Sequence, residues 1–442
     1  MQGKLSLFLS TFLLITHLGA TTLDELIQSG LTNNALIKKT DLQIRLMEAK
    51  QEEGRAKKFG EVDMLGSYTH YNLPRTLAPI VPSALSPTSS VDTTQDLFTT
   101  SVQYSVPLFT GGALEQQVKI DSLVTQMSQS KKRLSQEELI YNIRSLYLSA
   151  LSLQELQTSQ EGYVVALEEL KEKINYGVEL GKRAKIELIK ANNDLTKAIG
   201  DVAKTKSSLT MIKSSLEAVT HYENLTYLEP ITSESEALAL NNRVNFPNSL
   251  DNLERFKLQE LEIKKGNRVI KKVEASKKPQ VALNAYAGYN YDIDQIDPFE
   301  QEQLWQVAVN VKWNLHDFGA TSARVQQAKI ARLQAITQKE ATSEGFKKLF
   351  AKAKNEIDTA LANYQTTQSQ HALLQESETI ENARYDAGVA TLNDLLLAKS
   401  KTQLASSQMI QNRYAYQNGL FYLDYLLEQG VGSISSNVET QY

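Results

Sequence analysis

The chain has 442 residues, 22% of them charged, and 47 Lys and Arg against 51 Asp and Glu leave a formal net charge of only −4. The two signs are interspersed, so there is no basic block for nucleic acid and no acidic arm. Cysteine is absent, which excludes disulfides, thiolate metal sites, a cysteine nucleophile and a lipid-anchoring cysteine.

Residues 1–20 predict a cleaved signal peptide: Lys4 precedes the apolar "LSLFLSTFLLITHL", and Gly19 and Ala20 supply small residues for cleavage. The alternative is an uncleaved anchor helix. No later segment is long and apolar enough for a transmembrane helix, so contact with a membrane must be made by strands.

Residues 22–59 place Leu23, Leu26, Ile27, Leu31, Leu36, Leu42 and Leu46 at helical spacings. "VDMLGSYTHYN" (62–72) alternates with period two, and the Pro/Ser/Thr-rich stretch 73–98 reads as an exposed loop. "TTSVQYSVP" (99–107) is a second strand, ending at Pro107 and turning on Gly111 and Gly112. From Leu108 to Glu229 there is no proline. A helix is predicted from 113 to Tyr176, about 95 Å long at 1.5 Å per residue. Its seam Leu139, Ile143, Leu146, Ala150, Leu153 and Leu156 steps like a coiled coil. Gly177 and Gly181 are expected to break it, and a second helix runs to 219.

Residues 220–248 form a connector with Pro230 and Pro247. A helix over 249–276, a strand hairpin over 281–313 and a helical hairpin over 320–427 follow, then a tail, 430–442. Gly181 and Gly388 read as helix C-caps, and Thr391 with Asp394 as a capping box.

The halves align. Pro107, Leu108 and Gly112 precede Asn314, Leu315 and Gly319 by 207 residues, and Gly181, Glu187 and Leu188 precede Gly388, Asp394 and Leu395 by the same 207. Two separated features at one offset predict an internal two-fold repeat. The first repeat covers 21–219 (helix, hairpin 62–107, helical hairpin 113–219) and the second 249–429.

Trp305, Val307, Val309, Val311 and Trp313 share one strand face, while Gln306, Asn310 and Lys312 share the other. Apolar-out, polar-in alternation at this length is the pattern of a membrane barrel strand, and Trp305 and Trp313 suit an aromatic girdle. Backbone groups in a bilayer must all be paired, so a sheet must close, and four strands cannot close alone. The expected fold class is a mixed α/β membrane protein: a twelve-stranded transmembrane β-barrel formed by a trimer, four strands per chain, continuous with a long α-helical barrel.

The signal peptide, the doubled hairpin-plus-helical-hairpin, "VPLFTGG" and "YDAGVATLNDLLLAKSKTQL" (385–404) resemble the TolC-like outer-membrane efflux proteins. The resemblance covers nearly all of the mature chain. It implies a homotrimer in the outer membrane of a Gram-negative bacterium, with the helical part in the periplasm. It also implies a passive, gated exit duct of a tripartite efflux pump or type I secretion system. The implied partners are a periplasmic adaptor, an inner-membrane transporter of the RND or ABC class, and outer-membrane lipid.

By position, adaptor contact and gate fall on Gly181, Glu187, Tyr385, Gly388, Thr391 and Asp394. The strand-to-helix junctions fall on Pro107, Gly111, Gly112 and Gly319. Where the family's type member has an arginine and a second aspartate beside the second tip, this chain has Ala390 and Leu397. Asp394 alone is left for an acidic ring.

Five histidines (His17, His70, His221, His316, His371) show no ligand spacing. No phosphate-cradling loop, dinucleotide fingerprint or nucleophile–base pair occurs. No enzyme activity, cofactor or metal is expected. The competing reading from another class is an exported coiled-coil scaffold or adhesin without channel activity. A periplasmic adaptor would also carry helical hairpins, but it needs a flanking lipoyl-like module that this chain lacks.

Overall fold

The computed structural model describes residues 20–82, 91–231, 246–247, 249–292 and 301–431. The predicted signal peptide up to residue 19, the strand-loop segments 83–90 and 293–300 with Pro298, most of the connector and the tail beyond Val431 lie outside the described residues.

The elements run α1 (Leu23–Asn33), α2 (Ala35–Ala56), β1 (Glu61–Thr76), β2 (Thr93–Phe109), α3 (Ala113–Glu179), α4 (Lys185–Thr220), α5 (Glu254–Ala275), β3 (Gln280–Asp292), β4 (Gln301–Lys312), α6 (Ala320–Asp386) and α7 (Leu392–Leu426). Helices α3 and α6 have 67 residues each. They begin 207 residues apart, and so do α4 and α7.

Four boundaries depart from the sequence reading. The N-terminal helix is two helices, because Asn34 takes an extended backbone (ψ 129°) and its side-chain Oδ1 accepts the Leu36 amide at 2.9 Å. Gly177 does not end α3. The strands invade the expected loop 73–98 from both sides, leaving only 77–92 between β1 and β2. Pro74 is accommodated because β1 is an edge strand whose register shifts between His70 and Arg75. Finally, β2 runs past Pro107 to Phe109. Pairing with β1 stops at Glu61–Ser105, so by Pro107 the strand is paired only with β3, and the missing amide is not needed on its other side.

The chain divides into two compact units. One comprises Met1–Lys38, Ser135–Asn248 and Lys347–Tyr442. Its core joins Leu26 and Ile27 of α1 to Ile140, Ile143, Tyr147 and Leu151 of α3 and to Leu216 of α4. Thr22 and Glu25 form a capping box that starts α1. Just before it, Thr21 pairs with Leu228 as a short parallel bridge. The fully buried Tyr147 hydroxyl donates to the Glu229 carbonyl at 2.6 Å, fastening the connector to α3. A buried ion pair, Arg144 to Asp424 at 2.6 Å, joins α3 to α7. The Glu137 carboxylate accepts the amides of Gly430 and Val431 at 2.9 and 3.0 Å.

The other unit comprises Lys39–Leu134 and Ser249–Phe346. It holds one antiparallel sheet in the order β1-β2-β3-β4, with parts of α2, α3 and α6 and all of α5. Phe256 and Phe346 pack edge to face at 5.7 Å between α5 and α6.

Candidate functional site

Cross-strand register decides which side chains share a face of the sheet. Met64, Val102, Ala287 and Trp305 lie in one row, Val62, Tyr104, Ala285 and Val307 in the next, and Val106, Leu283 and Val309 beyond. This face is apolar across all four strands, yet it is open: Met64 is 80% exposed, Trp305 74% and Val309 60%. The opposite face carries Asp63 with Gln103, Ser105 with Asn284, Tyr286 with Gln306, and Ala282 with Asn310. From Val281 to Tyr291 the strand advances about 33 Å. Tilted by ~45° it would cross roughly 23 Å, close to the ~25 Å apolar band of an outer-membrane barrel. Phe98, Tyr289 and Tyr291 cluster at one end of the face. Trp313 lies just past β4 at the other end, its indole N–H donating to the Lys277 carbonyl at 3.0 Å. Trp305 lies within β4, opposite Ala287.

The two strand-to-helix junctions are built alike, down to the atoms that cap the helices. Thr110 Oγ1 accepts the Leu114 amide at 3.2 Å, and 207 residues later Asp317 Oδ2 accepts the Thr321 amide at 2.7 Å. Between cap and helix both junctions pass through two left-handed residues, Gly111 and Gly112 (φ 67° and 94°) and Phe318 and Gly319 (φ 52° and 91°). Gly111 has no alternative, since a Cβ there would lie 2.4 Å from the Ala275 carbonyl oxygen. Phe318 is 93% exposed, its ring meeting only the His316 ring edge to face at 4.6 Å. The capping roles of Thr110 and Asp317 escaped the sequence reading, although both are good N-cap residues at one offset.

At the helical tips, α3 turns into α4 and α6 into α7. Gly181 (φ 69°) and Gly388 (φ 75°) supply the left-handed residue of each turn. At the first, the Gly177 carbonyl accepts the amides of both Lys182 and Arg183. The bare Gly177 Cα also leaves room for the Arg183 stem, which a Cβ would meet at 2.9 Å. At the second, Thr391 and Asp394 form a full capping box, and Thr391 Oγ1 also donates to the aspartate at 2.7 Å. These bonds from the threonine side chain and backbone hold the Asp394 carboxyl below the usual carboxylate range. The matching position at the first tip, Ala184, has no side-chain cap.

The tips meet through Tyr385. Its ring, 2% exposed, packs with Leu170, Ile174, Leu195 and Leu395. The Arg183 guanidinium lies 4.1 Å from the ring centroid and pairs with Glu187 at 3.1 Å. The tyrosine hydroxyl reaches Glu187 at 3.4 Å. Burial pushes the Tyr385 phenol up to about 12, with Arg183 opposing and Glu187 reinforcing the shift. Lys173 of α3 pairs with Asp386 of α6. Glu187 and Tyr385 are thus brought together, whereas the Asp394 carboxylate is bonded to its own Thr391. Arg183 was missed by sequence reasoning; a cation two residues after a tip glycine was its only signal. Among the described residues, no three His, Asp or Glu side chains are grouped as a metal site.

A four-stranded sheet with one open apolar face and one polar face has the pattern of a transmembrane barrel sheet. Residues 26–220 and 247–427 match the family described as outer membrane efflux protein, and the chain belongs to that family. No curated protein matches the chain. Its fold is similar to that of a membrane protein from Pseudomonas aeruginosa (TM-score 0.74, 15% identity, 92% of this chain and 90% of that one). It is also similar to the CmeC outer membrane channel of Campylobacter jejuni (TM-score 0.72, 16% identity, 95% and 88%). A third similar structure is the open state of the MtrE outer membrane channel of Neisseria gonorrhoeae (TM-score 0.72, 15% identity, 92% and 89%). The protein is therefore an efflux protein of the outer membrane of a Gram-negative bacterium, with its helical part in the periplasm.

Proposed function

We propose that the chain works as a homotrimer, the exit duct through which a tripartite efflux pump or a type I secretion system passes its cargo outward. The observation that carries this reading is the sheet's two bare edges: among the described residues, β1 and β4 each pair on one side only. In hydrocarbon each unpaired backbone group costs several kcal/mol, so those edges must be met. Two copies would bring eight strands, a barrel just wide enough to be filled by its own side chains. Three copies bring twelve, and the inward face lined by Asp63, Gln103, Asn284 and Asn310 then surrounds a lumen.

In this reading the protein performs no chemistry. The tips around Gly181 and Gly388 receive a periplasmic adaptor. The clasp of Arg183 and Glu187 on Tyr385 holds the two helical hairpins together until an inner-membrane transporter of the RND or ABC class is engaged. Trp305, Trp313, Phe98 and Tyr289 anchor the barrel in lipid. The test is reconstitution of the detergent-purified protein in a planar bilayer. Discrete conductance steps are expected; a protein that inserts but never conducts would defeat the duct in favour of a scaffold.

A further inference from the structure

A groove runs along the antiparallel pair formed by the first part of α3 and by α5, within the unit that carries the sheet. Lys119, Gln126 and Arg133 line its α3 side at heptad steps, and Lys257, Lys264 and Lys271 its α5 side at the same steps. The groove has two cavities, of about 490 and 540 Å³, which share Gln126 and Lys264. They differ in charge. In the first, every carboxylate is matched: Glu254 takes Arg133 at 2.6 Å and Lys257 at 3.0 Å, and Lys339 takes Glu260 and Asp251. The second is lined by Lys119, Lys264, Arg268 and Lys271, with Ser122, Leu123, Gln126 and Asn267, and no carboxylate. Among the described residues none of these four cations is ion-paired.

Lys264, Arg268 and Lys271 follow one another at i, i+4 and i+7 on one helix, where like charges oppose each other. Elsewhere on α5, Lys257 and Lys265 are neutralised by Glu254 at 3.0 Å and Glu262 at 2.5 Å, while Lys272 donates to the neutral Gln117. The concentration of charge in the second cavity is therefore local. Its volume lies in the range of small-molecule sites. An arginine presents a planar fork suited to two oxygens of one phosphate, and lysines add mobile point charges around it.

We propose that this cavity binds a ligand bearing one or more phosphate groups, held by Arg268 in bidentate fashion and flanked by Lys119, Lys264 and Lys271. The shared chemistry is the phosphoryl oxygen; its source is either a phospholipid headgroup or a soluble phosphorylated solute. The proposal rests on the α3–α5 groove and stands whether or not the chain conducts.

The test uses the full-length protein in an uncharged detergent, titrated calorimetrically with short-chain phosphatidylglycerol and, separately, with inorganic pyrophosphate. Four proteins are compared: wild type, the single variant R268Q, the groove variant K119Q/K264Q/R268Q/K271Q, and a control with equal charge loss away from the groove, K131Q/K347Q/K348Q/K354Q. At least one probe is expected to bind wild type and control alike and to bind the groove variant tenfold or more weakly, with single R268Q falling in between. Binding of the lipid alone identifies a headgroup site, and of pyrophosphate alone a solute site. Absence of binding by both probes, or equal binding by wild type, groove variant and control, overturns the proposal. Circular dichroism of each variant checks that the helices are retained, glutamine being a good helix former.

Discussion

The Arg183 guanidinium lies over the ring of Tyr385 at 4.1 Å, a contact between the first helical hairpin and the second. Arg183 is held by Glu187, and Tyr385 is buried among the leucines of both hairpins. A contact of this kind contributes about 0.5–2 kcal/mol, enough to bias the tips without locking them.

Replacing Arg183 with alanine removes that contact and frees Glu187, while Tyr385 keeps its apolar packing. The expected result is a higher open probability in planar bilayers, with thermal stability lowered by no more than about 2 kcal/mol. Unchanged gating with normal folding would show that the clasp is structural only.

Alkaline pH offers a second reading of the same residue. In the folded protein the Tyr385 phenol keeps its proton up to about 12, while an unfolded chain loses it near ~10. The folded state then binds more protons than the unfolded one, so stability falls as pH rises through that window and is unaffected below it. Tyr163 and Tyr414 are also pushed up to about 12 by burial and add to the decline. Tyr385→Phe should make the loss of thermal stability between pH 10 and 12 shallower; an identical slope would deny the burial of that phenol.

The junctions yield a contrast between equivalent positions. Gly111→Ala must place a Cβ 2.4 Å from a carbonyl oxygen at φ 67°, so the strand end or α5 has to shift. A loss of at least ~2 kcal/mol, or failure to assemble, is expected. Phe318→Gly relieves a left-handed non-glycine residue that is 93% exposed and gives up only the edge-on contact with His316, so it should leave the fold intact. Unfolding in detergent followed by circular dichroism distinguishes the two.

The faces of β4 should respond oppositely to charge. Val309→Arg puts a guanidinium on the apolar face, at a cost of about 2–4 kcal/mol at the bilayer midplane, and should deplete the protein from outer-membrane fractions. Asn310→Arg, one residue along on the polar face, should be tolerated. Equal tolerance of both would mean that the apolar face does not meet lipid.

The architecture was written in periodicity. The alternation through Trp305–Val311 gave the sheet its faces, and the 207-residue offset paired α3 with α6. What escaped were features set by contacts distant in sequence. Gly177 looks like a helix breaker, yet its role is to admit the Arg183 stem, which no local pattern announces. Pro107 looks like a strand end, and only the register of β1 shows why the strand can continue. Asn34 splits the first helix through its own side chain, anchored by a 2.9 Å bond to the Val219 carbonyl, 185 residues away. The tip glycines and the Thr391 cap were legible because turn chemistry is local. The Arg183–Tyr385 contact was not, because it joins the two halves.

Molar mass settles the main point most directly. Light scattering on the protein extracted from outer membranes, with the detergent contribution subtracted, should give three chains per particle, the smallest number that closes a four-stranded sheet around an open lumen. A stable particle of one chain, with β1 and β4 still unpaired, would contradict it.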